Sequence, residues 1–132
     1  MDGHISKFTC QQLEQILSQR IQCFYRDRLG HQPANVSCQL FNNNVVIVIE
    51  DSLTSSEQVL LKNEQRELAQ QVRSDLDKVI QAEIKTLIEE ILKVSVIDLL
   101  SDATLETGRS ATIAVLATVP TASHACFKVE EL

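Results

Sequence analysis

Between Thr9 and Leu29 the apolar residues Leu13, Ile16, Leu17, Ile21, Phe24, Tyr25 and Leu29 return at three- and four-residue spacing, with glutamines between them. That is the period of an amphipathic helix. Gly30 just past the last periodic residue and Pro33 beyond it predict that the helix stops near Leu29. The stretch "NVSCQLFNNNVVIVIED" changes period and reads as a hairpin, Val36 to Phe41 and Val45 to Asp51, turning on Asn42, Asn43 and Asn44. "TSSE", Thr54 to Glu57, has the form of a capping box that opens a second helix. The apolar stripe that follows, from Leu61 to Leu92, is longer than an ordinary globular helix requires. A break is expected at "LKNEQ", around Asn63. Two further strands, Val94 to Ser101 and Ser110 to Val119, are expected around a turn carrying Gly108.

The two halves of the chain repeat this order. "LEQILSQRIQCFYRDRLG", "VSCQL" and "VVIVI" match "LDKVIQAEIKTLIEEILK", "VSVIDL" and "TIAVL" in sequence and in period. One helix and one hairpin bury too little alone, so the two units are expected to share a core. The expected fold is α+β and two-layered: a four-stranded, mainly antiparallel sheet with long helices on one face. It is read as a single domain over residues 1–120, followed by a flexible tail over 121–132. The length of the Leu61 to Leu92 stripe and the exposed strand edges also predict a homodimer.

Composition narrows the function. A net charge of −6 and a pI near 5.0 leave no basic surface for phosphate contacts, which argues against nucleic acid as a partner. No apolar run approaches the length of a membrane span, and "MDGHISKFTCQQ" has no secretory pattern, so a soluble, cytoplasmic chain without direct membrane insertion is expected. Cys10, Cys23, Cys38 and Cys126 contain no Cys-x-x-Cys pair, and the expectation is reduced thiols with no metal and no cofactor.

Candidate chemistry is sparse. Arg66, Glu67 and Arg73 precede the second stripe, and Arg66 and Arg73 are two turns apart on one helical face, a spacing suited to a small anion; the alternative is a solvated face. Arg26 and His31 form a second polar cluster with Asp27 and Arg28. Glu50 and Asp51 end a strand, either as catalytic carboxylates with the "SDATLETGR" loop and Arg109 or as charges near the next helix's N-terminus. His124 and Cys126 lie close together in the tail without making a closed metal site. The chain lacks a serine-histidine-acid order, His-Glu-x-x-His and a phosphate-loop glycine pattern, so a non-enzymatic role is expected, with no catalytic residues assigned.

Taken together, "FYRDRLGHQPANV", "VVIVIEDSLTSSEQVLL", "QRELAQQVRSDLDKVI" and "VIDLLSDATLETGRSATIAVLA" resemble the MpsC family of small bacterial proteins, over about Leu13 to Val119. Gln32 stands where the resemblance leads one to expect a second glycine before the proline. The resemblance implies a regulatory or interaction module linked to bicarbonate or cation transport, with a membrane transport protein as partner. A small-anion or nucleotide sensor is the alternative, and an enzyme using Glu50 and Asp51 is a second one.

Overall fold

The computed structural model describes residues 8–121. The expected tail, with His124 and Cys126, lies outside the described residues. Helix α1 spans Cys10–Phe24 and continues into a π-helical turn, Tyr25–Leu29. Its start is fixed by a capping box: the Thr9 hydroxyl accepts from the Gln12 amide (3.1 Å) and the Gln12 side chain accepts from the Thr9 amide (2.9 Å). Its end is fixed by Gly30 at φ 65°, a left-handed conformation that costs glycine little. Strands β1 (Asn35–Phe41) and β2 (Asn44–Glu50) form the first hairpin. Helices α2 (Ser55–Lys62) and α3 (Arg66–Leu92) follow, separated at the expected place around Asn63, with Glu64 at φ 59°. Strands β3 (Val96–Thr104) and β4 (Arg109–Leu116) complete the order.

The last hairpin is displaced from the sequence reading. β3 begins two residues later and runs on to Thr104, and β4 ends at Leu116 rather than Val119. Lys93, in the left-handed region at φ 60°, ends α3 and spends the first residues of the expected strand on the connection. A bulge between Val96 and Asp98 then shifts the pairing.

The sheet order is β1-β2-β4-β3, all antiparallel. The repeat seen in sequence equates Val45 to Ile49 with Thr112 to Leu116, and the β2–β4 register obeys it. Val45 pairs with Ala114, Ile47 with Thr112, and Val46 with Ile113, its own equivalent. A pseudo-two-fold axis therefore passes through the Val46–Ile113 pair. The helices follow the same relation: Gly30 and Lys93, equivalent in the repeat, both hold a left-handed helix end.

One core joins the two units. Leu13, Leu17, Ile21 and Phe24 of α1 meet Ile80, Ile84, Leu87 and Ile88 of α3 over Val36, Leu40, Val45, Ile47, Ile49, Ala114 and Leu116 of the sheet. The second half of the α3 stripe is thus consumed within the chain, while Leu68 and Val79 remain exposed. The strand edges are also occupied in part. The Leu40 amide on β1 donates to Glu14 of α1 (2.7 Å). On β3 the amides of Leu99 and Ala103 donate to the preceding carboxylates, Asp98 (3.0 Å) and Asp102 (2.8 Å). Carboxylates along an edge discourage strand addition.

The paired helix ends give a direct test. Lys93→Gly is expected to raise stability by about 0.5–1 kcal/mol, because glycine relieves the left-handed strain of a side-chain-bearing residue. Chemical denaturation measures it, and no gain would mean that the Lys93 side chain offsets the strain.

Candidate functional site

The densest polar cluster forms where the linker between the two units crosses the end of the sheet. Thr54 caps α2, and its amide and hydroxyl both donate to Glu57 Oε1 (2.9 Å each). Glu57 therefore does more than the capping expected of it. It is 0 % exposed, and a carboxylate so placed needs a full counter-charge. Arg73, 5 % exposed on the second turn of α3, supplies it in fork geometry, with Nε to Oε2 at 2.6 Å and Nη2 to Oε1 at 2.7 Å.

The remaining donors of Arg73 are used as well. Nη2 reaches the Ser52 carbonyl (3.1 Å) and Nη1 reaches Asp77 Oδ1 (3.2 Å), one helical turn on. Ser52 in turn donates through its amide (2.7 Å) and its hydroxyl (3.0 Å) to the Gly108 carbonyl, locking the end of β2 to the β3–β4 turn. Gly108 adopts φ 72°, which that turn requires. Tyr25, 1 % exposed at the start of the π-helical turn, lies beside Arg73 and Ser110. The cluster thus ties α1, the linker, α3 and the second hairpin together.

Its electrostatics follow from burial. Loss of solvent by itself pushes the Arg73 guanidinium down, but the hydrogen bonds and charge of Glu57, then the charge of Asp77, hold it above its ordinary value. Asp77 is raised, first by burial and then by the nearby Glu57 and Asp102 charges, against the pull of Arg73. Burial also raises the Tyr25 phenol, opposed by Arg73. Among the described residues, every buried side-chain nitrogen and oxygen has a hydrogen-bond partner. An interior saturated in this way clamps together the elements it joins.

Beside the clamp lies a cleft of about 360 Å³ whose lining includes Arg66, Gln70, Arg73, Asp77, Asp102 and Glu106. The two arginines expected to share a helical face do line one cleft. Arg73 is turned inward to Glu57, however, and Arg66 is ion-paired with Glu106 across the opening. A backbone hydrogen bond of its own, then the hydrogen bond and charge of Arg66, lower the Glu106 carboxyl from its ordinary value. Three carboxylates against two engaged guanidiniums give this cleft an acidic balance. Glu67, in the first turn of α3, is exposed and does not line it.

The second expected cluster is elsewhere. Arg26 is exposed and pairs with its neighbour Asp27 (2.9 Å). His31 is half-buried, with Nε2 2.7 Å from the Asp51 carbonyl, so it braces the end of β2. Glu50 points to the outer face of the sheet and accepts from Arg109 Nε at 2.9 and 3.0 Å, a cross-strand pair. Asp51 is exposed at φ 56°, its side chain apart from that pair. Among the described residues no group of three metal-binding side chains converges, and no helix is long and apolar enough to cross a membrane.

A pseudo-symmetric two-layer α+β protein with a buried ion-pair clamp in its linker is the class these features define. Comparison with family models gives its membership: residues 9–118 match the family described as Na+-translocating membrane potential-generating system (MpsC), and the chain belongs to it. No curated protein and no solved structure matches.

Sequence reasoning singled out Arg73 but missed its partner, because Glu57 and Arg73 lie on separate helices. Only the turn around Asn63 brings them together. Arg73→Met is expected to lower stability by about 3–5 kcal/mol, the cost of leaving Glu57 buried and unpaired. Adding Glu57→Leu should recover part of that loss but forfeit the cap, worth about 1 kcal/mol. Urea denaturation of both variants decides this, and a loss below about 1 kcal/mol for Arg73→Met alone would show that the pair is dispensable.

Cys38, buried on β1, gives a pH test. Burial pushes its thiol from 9.0 to about 11. A raised value in the folded state favours the protonated thiol, so the stability it contributes is complete below the unfolded value and is lost as pH rises toward about 11. Denaturation series from neutral pH upward should show a steeper alkaline loss for the native chain than for Cys38→Ala.

Proposed function

We propose that this chain is a non-enzymatic interaction and regulatory module, acting in the cytoplasm on a membrane transport protein that moves cations or bicarbonate. The observation that carries this reading is the contrast between the polar cluster and the sheet. The cluster is saturated by its own partners, whereas the helix-free face of the sheet leaves Ile97, Leu100 and Ile113 exposed. Chemistry needs unsatisfied groups that meet a substrate, while assembly with another chain, a second copy included, needs uncovered apolar surface. The family's description supplies the context of membrane potential and sodium. A sensor for small anions is less well supported, since Arg66 and Arg73 would each have to leave a carboxylate to bind one.

The test is membrane potential in cells lacking this gene, read with a voltage-sensitive dye while sodium and bicarbonate are stepped. The expected outcome is a weakened response, restored by the native chain and equally by the paired changes Asp51→Asn and Glu106→Gln. An unchanged response in the deletion strain would remove the transport link. Failure of the paired variant to restore it would favour carboxylate chemistry.

A further inference from the structure

The sheet carries helices on one face only. On the other, Val46 and Val48 of β2, Ile113 and Val115 of β4, and Leu100 of β3 form a continuous aliphatic patch. Ile97 is 64 % exposed, Leu100 57 % and Ile113 42 %. Val46 lies beside Ile113, and Ile113 beside Leu100, so the patch is centred on the internal pseudo-two-fold axis. Charge is kept to its margins: the Glu50–Arg109 pair at one end and Asp98 and Asp102 along β3.

We propose that this face is covered by the same face of a second copy of the chain, the two sheets being related by a two-fold axis between them and parallel to the strands. Such a rotation keeps the strand direction and reverses the strand order. β2 then lies over the partner's β4, and β4 over the partner's β2. Val46 packs on the partner's Ile113 at the centre. Glu50 faces the partner's Arg109, and Arg109 faces the partner's Glu50, so the charges at this end are complementary twice over. β3 lies over the partner's β1, which brings Asp102 to the partner's Ser37 instead of a second carboxylate.

A two-fold axis across the strands is the competing arrangement. It would set Glu50 and Arg109 over the uncharged Asn44 and Val115 rows and gain none of these contacts, so charge selects the parallel axis.

Four strands about 4.8 Å apart and about seven residues long at about 3.3 Å each make a surface on the order of 20 Å on a side. That planar area of about 400 Å² per copy is smaller than the roughly 800 Å² per partner of a standard interface, so the paired charges of Glu50 and Arg109 must supply much of the selectivity. Aligned sheets with interdigitated side chains are a stable layer arrangement, and an isologous contact closes at two copies. Edge-to-edge pairing is the less favourable route, because Glu14, Asp98 and Asp102 already take outward amides of β1 and β3.

Light-scattering mass and sedimentation equilibrium of the full chain at micromolar concentration test the proposal. The expected species is twice 14.8 kDa. Ile113→Lys, at the patch centre and outside the protomer core, should raise the dimer dissociation constant by about a hundredfold or more while leaving the circular dichroism spectrum unchanged. Glu50→Arg and Arg109→Glu each set like charges over one another and should be monomeric when alone. An equimolar mixture of the two should recover the dimer, since the mixed pair restores opposite charges across the interface. A monomeric native chain would overturn the proposal, as would a dimer that survives Ile113→Lys or a mixture that fails to associate.

Discussion

Neither half of this chain can bury its apolar surface alone, and the pairing of β2 with β4 resolves that constraint. Each unit offers one helix stripe and one apolar sheet face, too little for independent stability. Placing the two inner strands side by side makes a single four-stranded platform and brings α1 and α3 together over it. The register that equates Val46 with Ile113 allows equivalent residues of the two units to meet equivalent surroundings. Leu17 and Ile80, Ile21 and Ile84, and Leu29 and Leu92 hold matching places in the repeat and along the helices.

The departures from symmetry are concentrated in the linker. Ser52, Thr54, Glu57 and the start of α3 have no equivalent before α1 within the matched repeat, and they form the buried ion pair and its hydrogen bonds. Burying a carboxylate and a guanidinium costs several kcal/mol before their attraction is counted, so the clamp adds little net stability. Its effect is on geometry. Every donor is directed to one acceptor, which fixes how α2, the end of β2 and the β3–β4 turn meet. The acidic cleft beside it inherits its shape from this arrangement.

Glu50 and Asp51, adjacent in the chain, have different places. Alternation along the strand directs Glu50 outward to Arg109, whereas Asp51 takes a left-handed conformation as the chain leaves the sheet. Its carbonyl meets His31, and the next residue begins the clamp. The charged pair at the strand's end thus divides between sheet surface and linker.

The sequence by itself determined the elements, their order and the repeat, because hydrophobic period and capping chemistry are local properties carried by neighbouring residues. The Thr54 to Glu57 box and the break near Asn63 stand where the residues place them, and the α+β class follows from the order. Tertiary structure decided which polar residues meet. Glu57 with Arg73, Arg66 with Glu106 and Glu50 with Arg109 are joined across 16, 40 and 59 residues of chain. No local pattern specifies such partners. The bulge in β3 was equally hidden, since one inserted residue leaves the strand's composition unchanged while shifting its pairing. Which sheet face stays bare was settled last, by the side on which both helices pack, because strand alternation in β2 offers aliphatic residues to both sides.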